Sequence, residues 1–90
     1  MSTSLSEPAR LRQEMARRAE AFVRERGYVF SVHKEAVLDD LVKMHQRYGD
    51  FYCPCQVENN ADTVCVCTVV RRGLVEAEGA CYCHFILKGL

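Results

Sequence analysis

Apolar positions recur at helical spacing in the first part of the chain. Between Glu7 and Arg26 they lie three or four residues apart, which predicts an amphipathic helix over these residues. Ser6 suits the N-cap and Gly27 suits the C-terminal stop. The opposite face carries arginines as well as glutamates. Such a mixture is typical of a solvated face, and less often it marks a docking surface for an acidic partner. The predicted apolar stripe consists of Leu11, Met15, Ala19, Phe22 and Val23.

A second helix is predicted from about Val32 to Tyr48, with Ser31 as its cap and Gly49 as its end. The connector between the helices, Tyr28-Val29-Phe30, is short, so we expect an antiparallel helical hairpin with the apolar stripes packed together. We interpret this hairpin as scaffold. The second stripe contains Val37, Leu41, Met44 and Tyr48, with Leu38, Val42 and His45 beside it.

After Gly49 the helical periodicity disappears and cysteine pairs alternate with loops. A short helix is predicted over Arg71–Glu78, ended by Gly79, and Phe85-Ile86-Leu87 forms an apolar tail that can pack over a central site. The expected fold is therefore mainly α, with an N-terminal helical hairpin supporting a loop-rich, cysteine-rich region. We expect a single domain over residues 1–90, with the scaffold in 1–49 and the reactive chemistry in 50–90.

Charge and hydropathy exclude several classes of partner. The chain of 90 residues carries 12 Lys+Arg and 12 Asp+Glu, and a net charge of zero is unfavourable for holding nucleic acid through its phosphates. No apolar run approaches the length of a bilayer span, and the first residues lack the apolar core of a secretory signal. We expect a cytoplasmic protein with neither a nucleic-acid partner nor a membrane partner.

Six cysteines form three CxC pairs, separated by nine and then thirteen residues. Such a density indicates either a disulfide scaffold or a metal or cluster site, and the reducing cytosol favours the second. In an extended segment the two thiols of a pair point the same way. A cubane cluster or a structural zinc uses four cysteines. The two that remain are either ordinary reduced thiols or a redox-active pair, and the tandem arrangement favours the redox pair.

The residues around these cysteines resemble the catalytic subunit of ferredoxin:thioredoxin reductase and its ferredoxin:disulfide reductase relatives. The likeness covers residues 15–87 and includes Gly27-Tyr28-Val29-Phe30, Tyr52-Cys53-Pro54-Cys55-Gln56 and Gly79-Ala80-Cys81-Tyr82-Cys83-His84-Phe85-Ile86-Leu87. Three CxC pairs after a helical hairpin are a much more specific pattern than any single pair.

The resemblance implies the reduction of a protein disulfide by electrons from ferredoxin or a similar one-electron donor. The substrate would be thioredoxin or a thioredoxin-like protein, and the need for an accessory subunit stays open. The resemblance also implies an active-site couple of Cys55 and Cys83, with Cys55 as the exposed nucleophile. The implied ligands of a [4Fe-4S] cluster are Cys53, Cys65, Cys67 and Cys81.

The chain departs from the plant-type family pattern at three points. The middle pair contains Val66 where proline is usual. The first gap between the pairs is shorter, and the second longer, than in the plant-type pattern. Tyr82 stands in place of the usual histidine, with His84 two residues later. Because a histidine titrates near neutrality, His84 is a candidate catalytic proton carrier, with a surface or packing role as the equal alternative. His33 and His45, on the hairpin, are interpreted as solvated or core histidines.

A second functional hypothesis belongs to a different class: a non-enzymatic iron–sulfur or zinc-binding module that acts as a sensor or interaction domain. Zinc sites more often use CxxC spacing, so the three CxC pairs disfavour the zinc-binding module. The two metals differ in colour, since a zinc protein is colourless and a [4Fe-4S] protein is brown.

Overall fold

A computed structural model describes residues 6–56 and 58–89. Within this part of the chain the fold is mainly helical, as the sequence predicts. None of the helices described is both long and apolar enough to cross a membrane. The predicted domain limits at residues 1 and 90 lie outside the described residues. The elements, in chain order, are α1 (Glu7–Arg26), β1 (Val29–Phe30), α2 (Lys34–Tyr48), a 3₁₀ helix (Ala61–Thr63), α3 (Thr68–Arg71), α4 (Leu74–Glu78) and β2 (Ile86–Leu87).

Helix α1 has the bounds predicted from sequence because both of its ends are capped. The hydroxyl of Ser6 accepts a hydrogen bond from the Ala9 N–H, with a distance of 3.4 Å between the nitrogen and oxygen. At the other end Gly27 adopts the left-handed conformation, with φ of 72°, and its N–H donates to the Val23 carbonyl. The buried residues of α1 are Met15, Ala19 and Val23, all from the predicted stripe.

Helix α2 begins at Lys34, two residues later than predicted. The Ser31 hydroxyl does not cap the helix: it accepts from the His33 N–H at 3.0 Å, while the Ser31 carbonyl accepts from the Lys34 N–H at 3.2 Å. These bonds close a turn that leaves Val32 95% exposed, so the helical hydrogen bonds start after it. Gly49, with φ of 92°, ends α2 after Tyr48, as predicted.

The predicted antiparallel packing of the two long helices is confirmed. Arg12 pairs with Asp39, with 3.7 Å between nitrogen and oxygen, whereas Glu20, further along α1, pairs with Lys34, which precedes Asp39 on α2. Residue numbers therefore rise along one helix as they fall along the other. The buried residues of α2 are Val37, Leu38, Leu41 and Val42, while Met44 is half-buried and Tyr48 is exposed.

The short connector after α1 is a β-strand, which the sequence reading missed. Val29 pairs with Leu87 and Phe30 with Ile86 in an antiparallel two-stranded sheet. The Phe30 and Phe85 rings pack with their centroids 5.2 Å apart. The predicted apolar tail thus pairs with the connector between the two long helices, and its residues Phe85 and Ile86 are almost completely buried.

The prediction of one short helix over Arg71–Glu78 was wrong. The chain forms two shorter helices instead, α3 before Arg72 and α4 after Gly73. Gly73 has φ of 111°, a conformation that cannot continue a right-handed helix. Gly79 ends α4, as expected.

Candidate thiol site

The first cysteine pair is positioned by a local antiparallel contact. Tyr52 forms an isolated bridge with Val64, and the Cys53 N–H donates to the Thr63 carbonyl at 2.7 Å. This contact brings Cys53 beside the middle pair. Cys53 is buried, but the chain then turns at Pro54 and leaves Cys55 exposed.

The middle pair leads directly into α3. Cys65 is half-buried and Cys67 is buried. The Cys65 N–H donates to the Phe51 carbonyl at 2.8 Å, and the Cys67 carbonyl accepts from the Val70 N–H at 3.0 Å. Both cysteines are therefore fixed through their backbones, one to the segment after α2 and the other to the first turn of α3.

The last pair lies in a tight turn between α4 and β2. The Cys81 N–H donates to the Ile86 carbonyl at 3.0 Å, and the Cys81 carbonyl accepts from the His84 N–H at 2.9 Å. The buried Cys81 Sγ lies 3.3 Å from the Phe85 nitrogen and 3.4 Å from the Ile86 nitrogen, so it accepts from two backbone N–H groups. Cys83, at the tip of the turn, is half-buried.

Five thiols converge on one apolar cavity, which also contacts Pro54 and Tyr82. Cys53 Sγ lies 3.2 Å from Cys83 Sγ within it. All six cysteines lie in the described residues, and all six are free thiols. The cavity is closed by apolar side chains from both halves of the chain: Val37, Leu41, Val66, Val70, Phe85 and Ile86. Its five cysteines are Cys53, Cys65, Cys67, Cys81 and Cys83.

Burial and mutual contact favour the neutral form of three thiols. Burial raises the pKa of Cys65 above its ordinary value, and the neighbouring Cys53, Cys67 and Cys81 thiols raise it further. The pKa of Cys67 is raised by its hydrogen bond with Cys53 and then by burial. At Cys53 the hydrogen bond with Cys67 lowers the pKa, but the hydrogen bond with Cys83 and burial outweigh it. Iron bound by these sulfurs would displace their protons.

The chemistry of this donor set fits an iron–sulfur cluster. Cysteine thiolates are the usual ligands of such clusters. Proteins tune the reduction potential of a cluster through N–H groups directed at the sulfurs and through limited solvent exposure. The cavity offers both, in the N–H pair at Cys81 and the apolar lining. Within residues 6–56 and 58–89, no group of three or more His, Cys, Asp or Glu side chains is arranged to hold a single metal ion.

The three histidines lie outside the cavity. His84 is exposed, has φ of 53° and lines a neighbouring surface groove with Leu74 and Glu78. His84 lies in the left-handed region, so the chain is not extended at this residue. His45 is half-buried, with its ring 4.7 Å from that of Phe51, and His33 is exposed before α2. The two hairpin histidines thus have the packed and solvated environments predicted for them.

Sequence reasoning missed two contributors to the cavity, Val37 and Leu41. Both lie on the buried stripe of α2, which we had interpreted as scaffold alone. Periodicity identifies a buried helix face but does not separate positions that face the other helix from positions that face a site. Tyr82, which stands in place of the family's usual histidine, lines the cavity but is 51% exposed.

Five thiols gathered in one apolar cavity on a small helical scaffold are typical of proteins that bind a metal or an iron–sulfur cluster through cysteine. Within that class, the chain belongs to the ferredoxin thioredoxin reductase catalytic beta chain family, whose model matches residues 6–89. This is an enzyme family whose members carry a [4Fe-4S] cluster, and membership implies ferredoxin-dependent reduction of thioredoxin. No curated protein sequence matches the chain significantly.

Proposed function

We propose that this protein reduces the disulfide of thioredoxin or a thioredoxin-like protein, with electrons from ferredoxin or a similar carrier, through a [4Fe-4S] cluster and a redox pair formed by Cys55 and Cys83. One observation carries the proposal: five thiols line a shared apolar cavity, whereas Cys55 alone is at the surface. A protein that only stored a metal would have no need of an exposed thiol beside it.

The proposed cluster ligands are Cys53, Cys65, Cys67 and Cys81. They come from three different segments, so the cluster would tie together the loop after α2, the start of α3 and the turn before β2. When bound, it supplies one-electron transfer next to a disulfide that needs two electrons. The backbone donors at Cys81 and the apolar lining hold the ligands and exclude water from them.

Cys55 is proposed as the nucleophile because its exposure lets a protein disulfide reach it. Its thiolate attacks one sulfur of the substrate disulfide, which breaks that bond, forms a mixed disulfide and releases the other substrate sulfur as a thiolate. Over the complete cycle two electrons and two protons convert the substrate disulfide into two thiols. Cys83 is the proposed partner, since it is half-buried and its sulfur lies in the cavity beside Cys53.

His84 is proposed as the proton carrier for this couple. It follows Cys83 directly in the chain and is exposed, so it can exchange protons with water. Because its ring lines the neighbouring groove and not the cavity, we assign it exchange with solvent and not contact with the Cys83 sulfur. Replacement of His84 by Gln should lower the reductase rate while leaving the iron content intact. An unchanged rate would remove His84 from the mechanism.

The central test is an assay of iron and acid-labile sulfide, coupled to reduction of a thioredoxin by chemically reduced ferredoxin. About four irons per chain and steady turnover are expected. Zinc in place of iron, or iron without turnover, would favour the non-enzymatic module.

Mutations then separate the cysteine roles. Cys55→Ser and Cys83→Ser should keep the cluster and abolish disulfide reduction, whereas serine at any proposed ligand should empty the site. The wild type should form a trapped mixed disulfide with thioredoxin, and Cys55→Ser should not. Loss of iron from Cys55→Ser would show that the ligand assignment is wrong, and equal trapping by both proteins would remove Cys55 as nucleophile.

A further inference from the structure

One arginine contacts the middle cysteine pair from outside the cavity. Arg71 is the last residue of α3, and its Nε donates a hydrogen bond of 2.7 Å to the Val66 carbonyl. Val66 is the residue between Cys65 and Cys67. A carbonyl in this position has no helix or strand partner, so the arginine fixes the peptide that spaces the two thiols.

The backbone of Arg71 is itself anchored to the hairpin. An Nη atom of Arg26, at the end of α1, donates to the Arg71 carbonyl at 3.3 Å, and the Arg26 guanidinium lies over the Phe22 ring, 4.9 Å from its centroid. The last turn of α1 and the middle pair are therefore joined through Arg71. The sequence alone distinguishes neither arginine, because Arg26 is one of many charges on the polar face of α1 and Arg71 is followed by a second arginine.

The positive charge of Arg71 also acts on the thiol site. The Arg71 Nε donates to the carbonyl of the residue between Cys65 and Cys67, so the guanidinium charge lies beside the segment that carries both thiols. The neighbouring Arg72 forms a useful contrast. It has the same charge and is exposed at the C-cap of α3, but no such bond links its side chain to Val66.

We propose that Arg71 is a positioning residue for the redox centre: it holds the Val66 peptide between two cluster ligands and places a positive charge beside the centre, which favours the reduced state. This inference rests on the proposed function, since it concerns the same centre. Net charge and the groups surrounding the ligands are established determinants of cluster potential and of metal retention.

The test compares four variants with the wild type: Arg71→Gln, Arg71→Lys, Arg72→Gln and Arg72→Lys. Two properties are measured on anaerobically purified protein: the midpoint potential of the cluster, from its visible absorption and electron paramagnetic resonance, and the half-life of the cluster in the presence of an iron chelator. Far-UV circular dichroism shows whether each variant is folded. Wild-type iron content and turnover are measured in the same series.

We expect Arg71→Gln to have a more negative potential, by at least a threefold change in the reduction equilibrium, or ~28 mV on the scale of 59 mV per tenfold change for one electron. Arg71→Lys keeps the charge but not the planar donor, so its potential should stay near the wild-type value while its cluster is lost several times faster. Both Arg72 variants should have the wild-type half-life, and Arg72→Gln should shift the potential less than Arg71→Gln does.

The proposal is overturned if the Arg71 and Arg72 variants with the same replacement have the same potential and the same half-life. If Arg71→Gln does not fold, the lysine pair decides the matter through the half-life: equal values for Arg71→Lys and Arg72→Lys would overturn the proposal. A wild type without iron would overturn the proposed function together with this inference, whereas an active wild type with indifferent Arg71 variants would overturn the inference alone.

Discussion

The helical hairpin and the cysteine region are held in shape by different kinds of contact. Helices α1 and α2 are regular, capped at their ends and packed along buried apolar stripes. In the described part of residues 50–89 the helices are three to five residues long, and the chain is held by isolated bridges, turn hydrogen bonds and the pairing of β2 with β1. Helices this short are not stable by themselves in water.

The difference shows where a metal centre matters most. A hairpin with long, capped helices and an apolar interface depends less on a bound ligand than a region with little regular structure does. The hairpin nevertheless contributes to the site, because Val37 and Leu41 of α2 form part of the cavity wall. The two regions therefore share one core, but they should respond unequally to loss of the cluster.

The largest effect is expected from replacing a proposed ligand in the middle pair. Cys67→Ser should lower the iron content from about four per chain to less than one, because a buried thiolate ligand is lost. Hydrogen exchange followed by mass spectrometry should then show loss of protection across residues 50–89, with α1 and α2 retaining theirs. Cys55→Ser is the matched control and should leave both the iron content and the hydrogen-exchange protection unchanged. Equal loss of protection in both regions would contradict the contrast drawn here.

A core substitution can distinguish a residue that serves both regions from one that serves the hairpin alone. Leu41 and Met15 are both fully buried, but only Leu41 lines the cysteine cavity. Each alanine variant should lower the free energy of unfolding by about 2–5 kcal/mol. Only Leu41→Ala should also shorten the half-life of the cluster in a chelator. If Met15→Ala shortened it equally, the cavity wall would have no special role.

A smaller effect on stability is expected at Gly89, where the segment after β2 approaches the end of α1. A Cβ built on Gly89 would collide with the Gly27 carbonyl oxygen, a backbone atom that cannot move aside as the end of a flexible side chain can. Gly89→Ala should therefore displace the segment after β2 and destabilise the protein by about 1–3 kcal/mol. Lys88→Ala, at an exposed neighbouring position, is the control in thermal unfolding. Equal midpoints for the two variants would show that the segment moves aside without cost.

The smallest effect is expected at the ion pairs between the long helices. Arg12 pairs with Glu35 and Asp39, but both carboxylates are largely exposed, so water and salt screen the attraction. Glu35→Gln should lower the free energy of unfolding by about 0.2–1 kcal/mol at low salt and by less at high salt. Asp40→Asn removes an exposed carboxylate from the same helix and is the control. A loss that did not decline with salt would point to packing instead of charge.

The regular half of the fold could be predicted from sequence because helix periodicity and caps are local properties. Ser6 and Gly27 fixed the ends of α1 in this way, and only the start of α2 was displaced, by the turn at Ser31. The pairing of β1 with β2 could not be predicted, since strands of two residues give no alternation to detect and the two strands lie far apart in the sequence.

The site was predicted unevenly for a related reason. The spacing of the cysteine pairs, together with the family resemblance, indicated a thiol centre, and the structure brings five of the six thiols together. The individual roles of the six cysteines and of His84 stay predictions. Arg71 could not be identified from sequence because its proposed role depends on a hydrogen bond to one carbonyl, and nothing in the sequence distinguishes it from the adjacent Arg72.

The antiparallel pairing of β1 and β2 has a consequence for biosynthesis. Helices α1 and α2 can associate as soon as both have emerged from the ribosome, because all of their mutual contacts are complete by then. The pocket for the inorganic centre cannot close until β2 is translated and returns to β1, since Phe85 and Ile86 form part of its wall. Closure of the thiol cavity and docking of the C-terminal strand are therefore one event, and a chain shortened before β2 would leave the cysteines on an open surface.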